Sequence, residues 1–273
     1  MTQRTAAQRA LHWIANGGGT APSLAVIAAH PDDETIGAGG HLARLGAALF
    51  VYVTDGAPRD LSDAIAAGFT TREEYAGARR QELSAALPVA GIEPRVYHFD
   101  YVDQEASLNL VALTRRLTDL LRDALPEAIL TQPYEGGHPD HDATAFAVHA
   151  ACSMFERAHG TAPVIVEMTS YHGRDGTMEV GSFLPRSGCE EITAVLSKRE
   201  RDIKTRLFER YCTQQRVLQA FTVDVERFRT APEYDFTEPP HEGQLFYEQF
   251  NWGMTGARWR KLARTGLEEL QIA

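Results

Sequence analysis

The chain has 273 residues, 44% of them hydrophobic and 23% charged, with a formal net charge of −10. That length and apolar content suffice for a sizeable α/β core, while the acidic balance and the lack of any lysine- and arginine-rich block argue against nucleic acid or an anionic membrane as partners. The three cysteines, Cys152, Cys189 and Cys212, are odd in number and form no CxxC pair, which argues against a disulfide framework and thiolate metal ligands and makes a reducing cytoplasm the expected compartment.

The opening stretch, with Arg9 and His12 among alanines, predicts a short amphipathic helix over 6–14 that ends at Gly17-Gly18-Gly19 and lacks a signal-peptide core. No later apolar run is long enough to span a bilayer. Leu24-Ala25-Val26-Ile27-Ala28 predicts a buried strand over 24–29. It empties into Ala29-His30-Pro31-Asp32-Asp33-Glu34 and the glycine cluster Gly37-Ala38-Gly39-Gly40, with a helix expected over 35–45. Phe50-Val51-Tyr52-Val53 marks a second strand over 48–54, closed by the turn signal Thr54-Asp55-Gly56. Thr71-Arg72-Glu73-Glu74 reads as the capping box of a helix that reaches Leu87 before Pro88. A third strand is expected over 95–99, then an acidic loop over 100–105. Leu110, Leu113, Leu117 and Leu121 share one face of a helix over 107–125. A fourth strand over 128–131 leads to a helix opened by Pro139 and ending near 158. Beyond it the pattern is less regular: a strand over 164–171, a loop or hairpin over 174–185, a mostly helical stretch over 190–218, an extended acidic segment over 230–243 and a helix over 258–270. The aromatics Phe246, Tyr247, Phe250, Trp252 and Trp259 are expected to pack this C-terminal segment down.

Strands alternating with helices of this length imply a doubly wound, mostly parallel sheet covered on both faces. We read one domain over 1–273, with a core over about 20–160 and an elaboration over 161–273.

Histidine and clustered acids at a strand end suit a divalent metal with a general base; the rival is an acidic helix start favoured by the helix dipole. His138-Pro139-Asp140-His141 decides for the metal. In the strand order 3-2-1-4-5, strands one and four are neighbours at the switch point, and their carboxyl ends share one crevice. His30, Asp33 and His141 then supply three ligands and leave a position for water. Asp32 remains as the base for that water. His138 faces the substrate, as an imidazolium that stabilises an oxyanion and protonates the leaving amine, and Asp140 either orients a histidine or caps the helix. His172, Arg174 and Asp175 form a polar cluster read mainly as loop structure. The glycine cluster invites a dinucleotide-binding alternative, but Leu42 stands where that fingerprint needs glycine or alanine. A non-catalytic metal-binding protein is the other alternative.

The stretches Ala29–Glu34, Val53-Thr54-Asp55-Gly56 and His138-Pro139-Asp140-His141, in that order, resemble the signature of the PIG-L/LmbE-like family, zinc-dependent N-acetylglucosaminyl deacetylases on a Rossmann-like fold. The resemblance implies Zn2+ on His30, Asp33 and His141, although other divalent transition metals suit such ligands. It implies Asp32 as base, His138 as oxyanion stabiliser or acid, and Arg79 and Asp103 as sugar contacts. Lys204 and Cys212-Thr213-Gln214 resemble a further family stretch, and Tyr134 stands nearest to a tyrosine that some members carry just before His-Pro-Asp-His, where this chain has Gly136 and Gly137. The activity implied is hydrolysis of an N-acyl, foremost N-acetyl, group on an amino sugar or glycoconjugate. The implied partner is that small-molecule substrate, without nucleic acid or membrane insertion; a homo-oligomer is left open.

Overall fold

A computed structural model describes residues 5–174 and 176–272. Its strands are β1 (Leu24–Ala28), β2 (Leu49–Pro58), β3 (Arg95–Asp103), β4 (Ala128–Thr131), β5 (Val164–Met168), the short β6 (Tyr171–His172) and β7 (Glu179–Val180), β8 (Glu191–Val195) and β9 (Val225–Thr230). Seven of them form one sheet in the order β3-β2-β1-β4-β5-β9-β8. The first five run parallel, in the expected order; β9 then pairs antiparallel with β5, and β8 antiparallel with β9. The fold is therefore α/β, Rossmann-like and mostly parallel. Among the described residues no helix is long and apolar enough to cross a membrane.

The apolar run of β1 is continuous because both of its faces are covered. Leu24, Val26 and Ala28 point into one core, and Ala25 and Ile27 into the other. On the first face lie α1 (Ala6–Asn16), α2 (Asp33–Ala38), α4 (Arg72–Ala86), α7 (Lys198–Phe208) and α8 (Gln215–Leu218), with α3 (Ser62–Ala66) between β2 and α4. On the second lie α5 (Leu110–Ala124), α6 (Pro139–His159) and α9 (Gly256–Leu270). The Thr71–Glu74 capping box forms as the sequence predicts, with each residue's side chain receiving the other's backbone N–H.

Four differences from the sequence expectation bear on the site. First, α2 begins at Asp33 and stops at Ala38, where Gly39–His41 tighten into a 3-10 turn. A Cβ on Gly37 would meet Met168, and one on Gly40 would meet Leu196; these glycines allow close packing and present no phosphate-binding loop. Second, β2 runs on to Pro58, so Thr54-Asp55-Gly56 lies within the strand, at a shift of register against β3. Third, β3 extends to Asp103, which makes that residue a strand end rather than part of a loop. Fourth, the stretch read as mostly helical opens with β8, and β9 was not expected. The charged residues of β9 hid it: Glu226 and Arg229 are buried in polar pairs, so no apolar run marks the strand.

Candidate metal centre

β1 and β4 pair with Ile27 opposite Thr131, so the two turns that follow them leave the sheet side by side. The β1 turn is held from both neighbours. The Thr54 N–H and hydroxyl donate to the Ala29 carbonyl at 2.8 and 2.9 Å, and the Ala29 N–H donates to Gln132 Oε1 at 3.0 Å. Asp32 caps α2 with φ +149 and ψ −19, a conformation that costs a non-glycine residue about 1–3 kcal/mol and persists only where the surroundings impose it. The β4 turn relies on glycine. Gly136 has φ +71, and a Cβ on Gly137 would run into the Tyr171 carbonyl oxygen. Asp142 Oδ1 accepts from the backbone N–H groups of Glu135 and Gly136 at 3.2 and 3.0 Å. His138 then caps α6, its Nδ1 accepting from the Asp140 N–H at 3.1 Å.

These two turns bring His30, Asp33 and His141 together, at 8%, 4% and 3% exposure. His30 Nδ1 lies 3.2 Å from His141 Nε2 and 3.2 Å from Asp33 Oδ2, and His141 Nε2 lies 3.2 Å from Asp33 Oδ1. Ligand atoms at about 2.0–2.1 Å around a tetrahedral zinc stand roughly 3.3 Å apart, so the donor spacing fits a divalent ion. On the far side of its ring, His30 Nε2 faces Asp103 Oδ1 at 3.1 Å and Asp140 Oδ2 at 3.6 Å. A proton held there leaves the Nδ1 lone pair aimed at Asp33 and His141. Burial opposes charge on His30, but Asp103 and Asp33 outweigh it and hold its pKa well above the ordinary value. His30, Asp103, His138 and Asp140 form a second group with donors close enough for an ion. Asp140 in that group is already engaged, accepting from the Gln104 and Ala106 N–H groups at 2.5 and 3.0 Å, and His30 Nε2 and His138 Nε2 both face Asp103.

Asp32 sits beside the cluster with its carboxyl pushed up to about 6 by burial, against the pull of the Arg79 guanidinium. Both terminal nitrogens of Arg79 donate to Asp32 Oδ2 at 3.2 Å. Arg79, expected on the sugar, is instead buried beneath Asp32, because β2 and Gly56 close over it; a Cβ on Gly56 would meet its Nε at 2.7 Å. Asp103, expected on sugar hydroxyls, faces His30 and, at 3.7 Å, His138 Nε2, since β3 carries it into the cluster. Asp140 does not cap α6, as His138 does that; it ties down the chain that follows Asp103. His138 is not poised as an imidazolium. Its Nδ1 acts as an acceptor, and burial lowers its pKa well below the ordinary value.

Tyr134 belongs to the core. Its hydroxyl donates to the Glu238 carbonyl at 2.9 Å and its ring stacks on Trp259 at 5.1 Å, because the bonds to Asp142 and the glycine pair turn the chain after it. Lys204 is buried and donates to the Ile36 carbonyl at 2.7 Å and Glu226 Oε1 at 2.8 Å. The same Glu226 oxygen accepts from the Gly40 N–H at 2.8 Å, which pins the end of α2. Thr213 bonds to Glu82, and the Gln214 amide donates to the Tyr75 hydroxyl, so this stretch is fastened to α4. His172 is buried and Arg174 exposed; Asp175 lies outside the described residues. Tyr171 and Trp252, whose rings lie 5.3 Å from His141 and 4.9 Å from His138, were not expected at the site. The sequence pattern assigns Trp252 to packing, and nothing local in it distinguishes the two roles.

The molecule is thus an α/β protein with a buried two-histidine, one-carboxylate cluster at the switch point of its sheet. Residues 25–152 match the family described as PIG-L: GlcNAc-PI de-N-acetylase. Solved structures share the fold. A zinc-inhibited form of teicoplanin deacetylase is 16% identical, with 78% of this chain and 99% of that chain aligned and a TM-score of 0.56. For A40926 pseudoaglycone deacetylase the values are 20%, 78%, 98% and 0.57. For N,N'-diacetylchitobiose deacetylase from Pyrococcus horikoshii they are 19%, 82%, 91% and 0.54. No curated protein sequence matches the chain.

Proposed function

We propose that this protein is a metal-dependent hydrolase that removes an N-acyl group, foremost acetyl, from an amino sugar or glycoconjugate. The observation that carries this reading is the 3.2 Å convergence of His30 Nδ1, His141 Nε2 and Asp33, with Asp32 and His138 beside it. The PIG-L family match and the three deacetylases of like fold support it. His30, Asp33 and His141 would hold the ion. Zinc suits these donors, as do other divalent transition metals, and the zinc-inhibited teicoplanin deacetylase makes the productive metal a matter for measurement. A divalent ion bound there polarises the amide carbonyl and acidifies water.

The chain supplies the rest. Asp32, oriented by Arg79, accepts a proton from the water that attacks the amide carbonyl. With Nδ1 committed to the Asp140 N–H, neutral His138 carries its proton on Nε2, the nitrogen free to donate to the developing oxyanion. Asp32 returns its proton to the amine as the C–N bond breaks, giving a carboxylic acid and an amine, and the acid's proton then passes to the amine so that the products leave as carboxylate and ammonium. In protein purified without chelators, Asp32→Asn is expected to keep its metal and lose about 10²–10⁴-fold in amine release from N-acetylated sugars, the usual contribution of a general base. Undiminished release would refute the assignment of the base, and no release by wild type from free, disaccharide or glycoconjugate N-acetyl sugars would refute the function.

A further inference from the structure

The rings around His138 and His141 close into a circuit. Those two imidazoles lie 5.3 Å apart between centroids. Tyr171 packs on His141 at 5.3 Å, Phe246 on Tyr171 at 5.8 Å and Phe250 on Phe246 at 5.2 Å. Trp252 stacks on Phe250 at 4.5 Å with 16° between the planes, and returns to His138 at 4.9 Å. Phe246, Phe250 and Trp252 lie beyond residues 25–152, which match the family.

The segment bearing them is built onto the site. The Phe246 N–H donates to the Gly136 carbonyl at 2.9 Å. A Cβ on Gly136 would meet Leu245 at 2.8 Å, and one on Gly173 would meet Phe246 at 2.5 Å. Glu248 accepts from the Leu245 and Gly256 N–H groups at 2.9 and 2.7 Å, and the Gln249 amide donates to the Gly176 carbonyl at 3.1 Å. Tyr247 and Trp259 point inward and are fully buried, yet Phe250 keeps 40% of its surface exposed. An exposed phenyl ring, stacked on a tryptophan that itself touches His138, has no part in the core.

We propose that Phe250 and Trp252 form a stacking wall that selects amides carrying a flat apolar group, foremost an aryl group, next to the scissile bond. This specificity rests on the hydrolase function proposed above. The wall's chemistry favours an aryl group over a bare polyol. Phe250 offers no hydrogen-bonding atom and Trp252 only its indole N–H, so a hydroxyl laid on the ring faces loses water without replacement. An aryl ring gains offset stacking on the same surface.

The test compares phenyl and methyl glycosides of glucosamine, the deacetylated products, titrated calorimetrically into the intact protein. The phenyl glycoside is expected to bind roughly tenfold tighter, the scale of one added aromatic stack with its buried area. Phe250→Ala should bring the two affinities close to equal. Phe250→Leu, which keeps apolar packing on Trp252 but lacks a ring, should do the same and separates stacking from mere bulk. Equal affinities in wild type, or a phenyl preference that survives both substitutions, would overturn the wall. The N-acetyl forms of the two glycosides distinguish this failure from that of the function. Amine release without a phenyl preference removes the wall and leaves the hydrolase. A phenyl preference lost in both variants, without any amine release, supports the wall and removes the hydrolase.

Discussion

The floor of the site takes its shape from hydrogen bonds between buried polar groups, whereas its wall takes its shape from ring packing. On the floor, Ala29 is held by Thr54 and Gln132, Asp32 by Arg79, and His30 by Asp103. Along the wall, Tyr171, Phe246, Phe250 and Trp252 touch ring to ring. Hydrogen bonds are directional and weaken steeply with angle, so the floor tolerates little change and suits chemistry. Apolar contact is non-directional and scales with area, so a wall can be reshaped in small steps and suits selection. The two meet at Gly136 and Gly137, which carry His138 on one side and admit Leu245 and Tyr171 on the other.

The largest effect should come from breaking the floor. His141→Ala removes one of three converging donors; its metal content, by elemental analysis, is expected to fall to background and turnover by about 10³-fold or more, as loss of several kcal/mol of charge stabilisation implies. Phe250→Ala should leave metal content unchanged, and equal loss in both variants would erase the distinction between floor and wall. Next in size is a strike at their joint. Gly137→Ala must displace the Tyr171 carbonyl and is expected to cost about 1–3 kcal/mol of stability in denaturant unfolding. Gly77→Ala is its control: Gly77 is exposed on α4 with open space around its Cβ position, so alanine there should stabilise by about 0.5–1 kcal/mol.

The most gradual effect, spread over several pH units, sharpens the role of buried charge behind the floor. Burial pushes the Glu135 carboxyl up to about 8, against the pull of Arg229, and Arg229 also donates to Glu167 at 2.6 Å. A carboxyl whose folded pKa is raised binds more protons in the native state than in the unfolded chain. Its contribution is complete below the ordinary glutamate value and is lost as pH rises through about 8. The unfolding midpoint of wild type should therefore decline from about pH 5 to pH 9 more steeply than that of Glu135→Gln. Parallel profiles would show that Glu135 stays ionised.

Much of this molecule is legible one stretch at a time. Apolar runs with turn signals between them mark β1, β4 and β5, Pro139 marks the start of α6, and Thr71 and Glu74 mark that of α4, since each signal lies within a few residues. His30, Asp33, His138 and His141 were within reach because strand ends in a doubly wound sheet converge at the switch point, so topology could be combined with residue type. The ends of β2 and β3 were not, because a bulged register sets them against each other. Nor were β8, an edge strand with three exposed residues, and β9, whose buried Glu226 and Arg229 are paired with Lys204, Glu135 and Glu167 elsewhere in the chain.

The sequence by itself thus determined the parallel core, the neighbouring turns and the donor set they carry. Tertiary structure alone decided that Arg79 lies under Asp32, that Asp103 faces His30, that Tyr134 belongs to the core and that Phe250 does not. The physical reason is the same in each case. A side chain's type limits what it can bond to, but its partner is chosen by the packing of segments separated by many residues, for which a single stretch of sequence holds no signal.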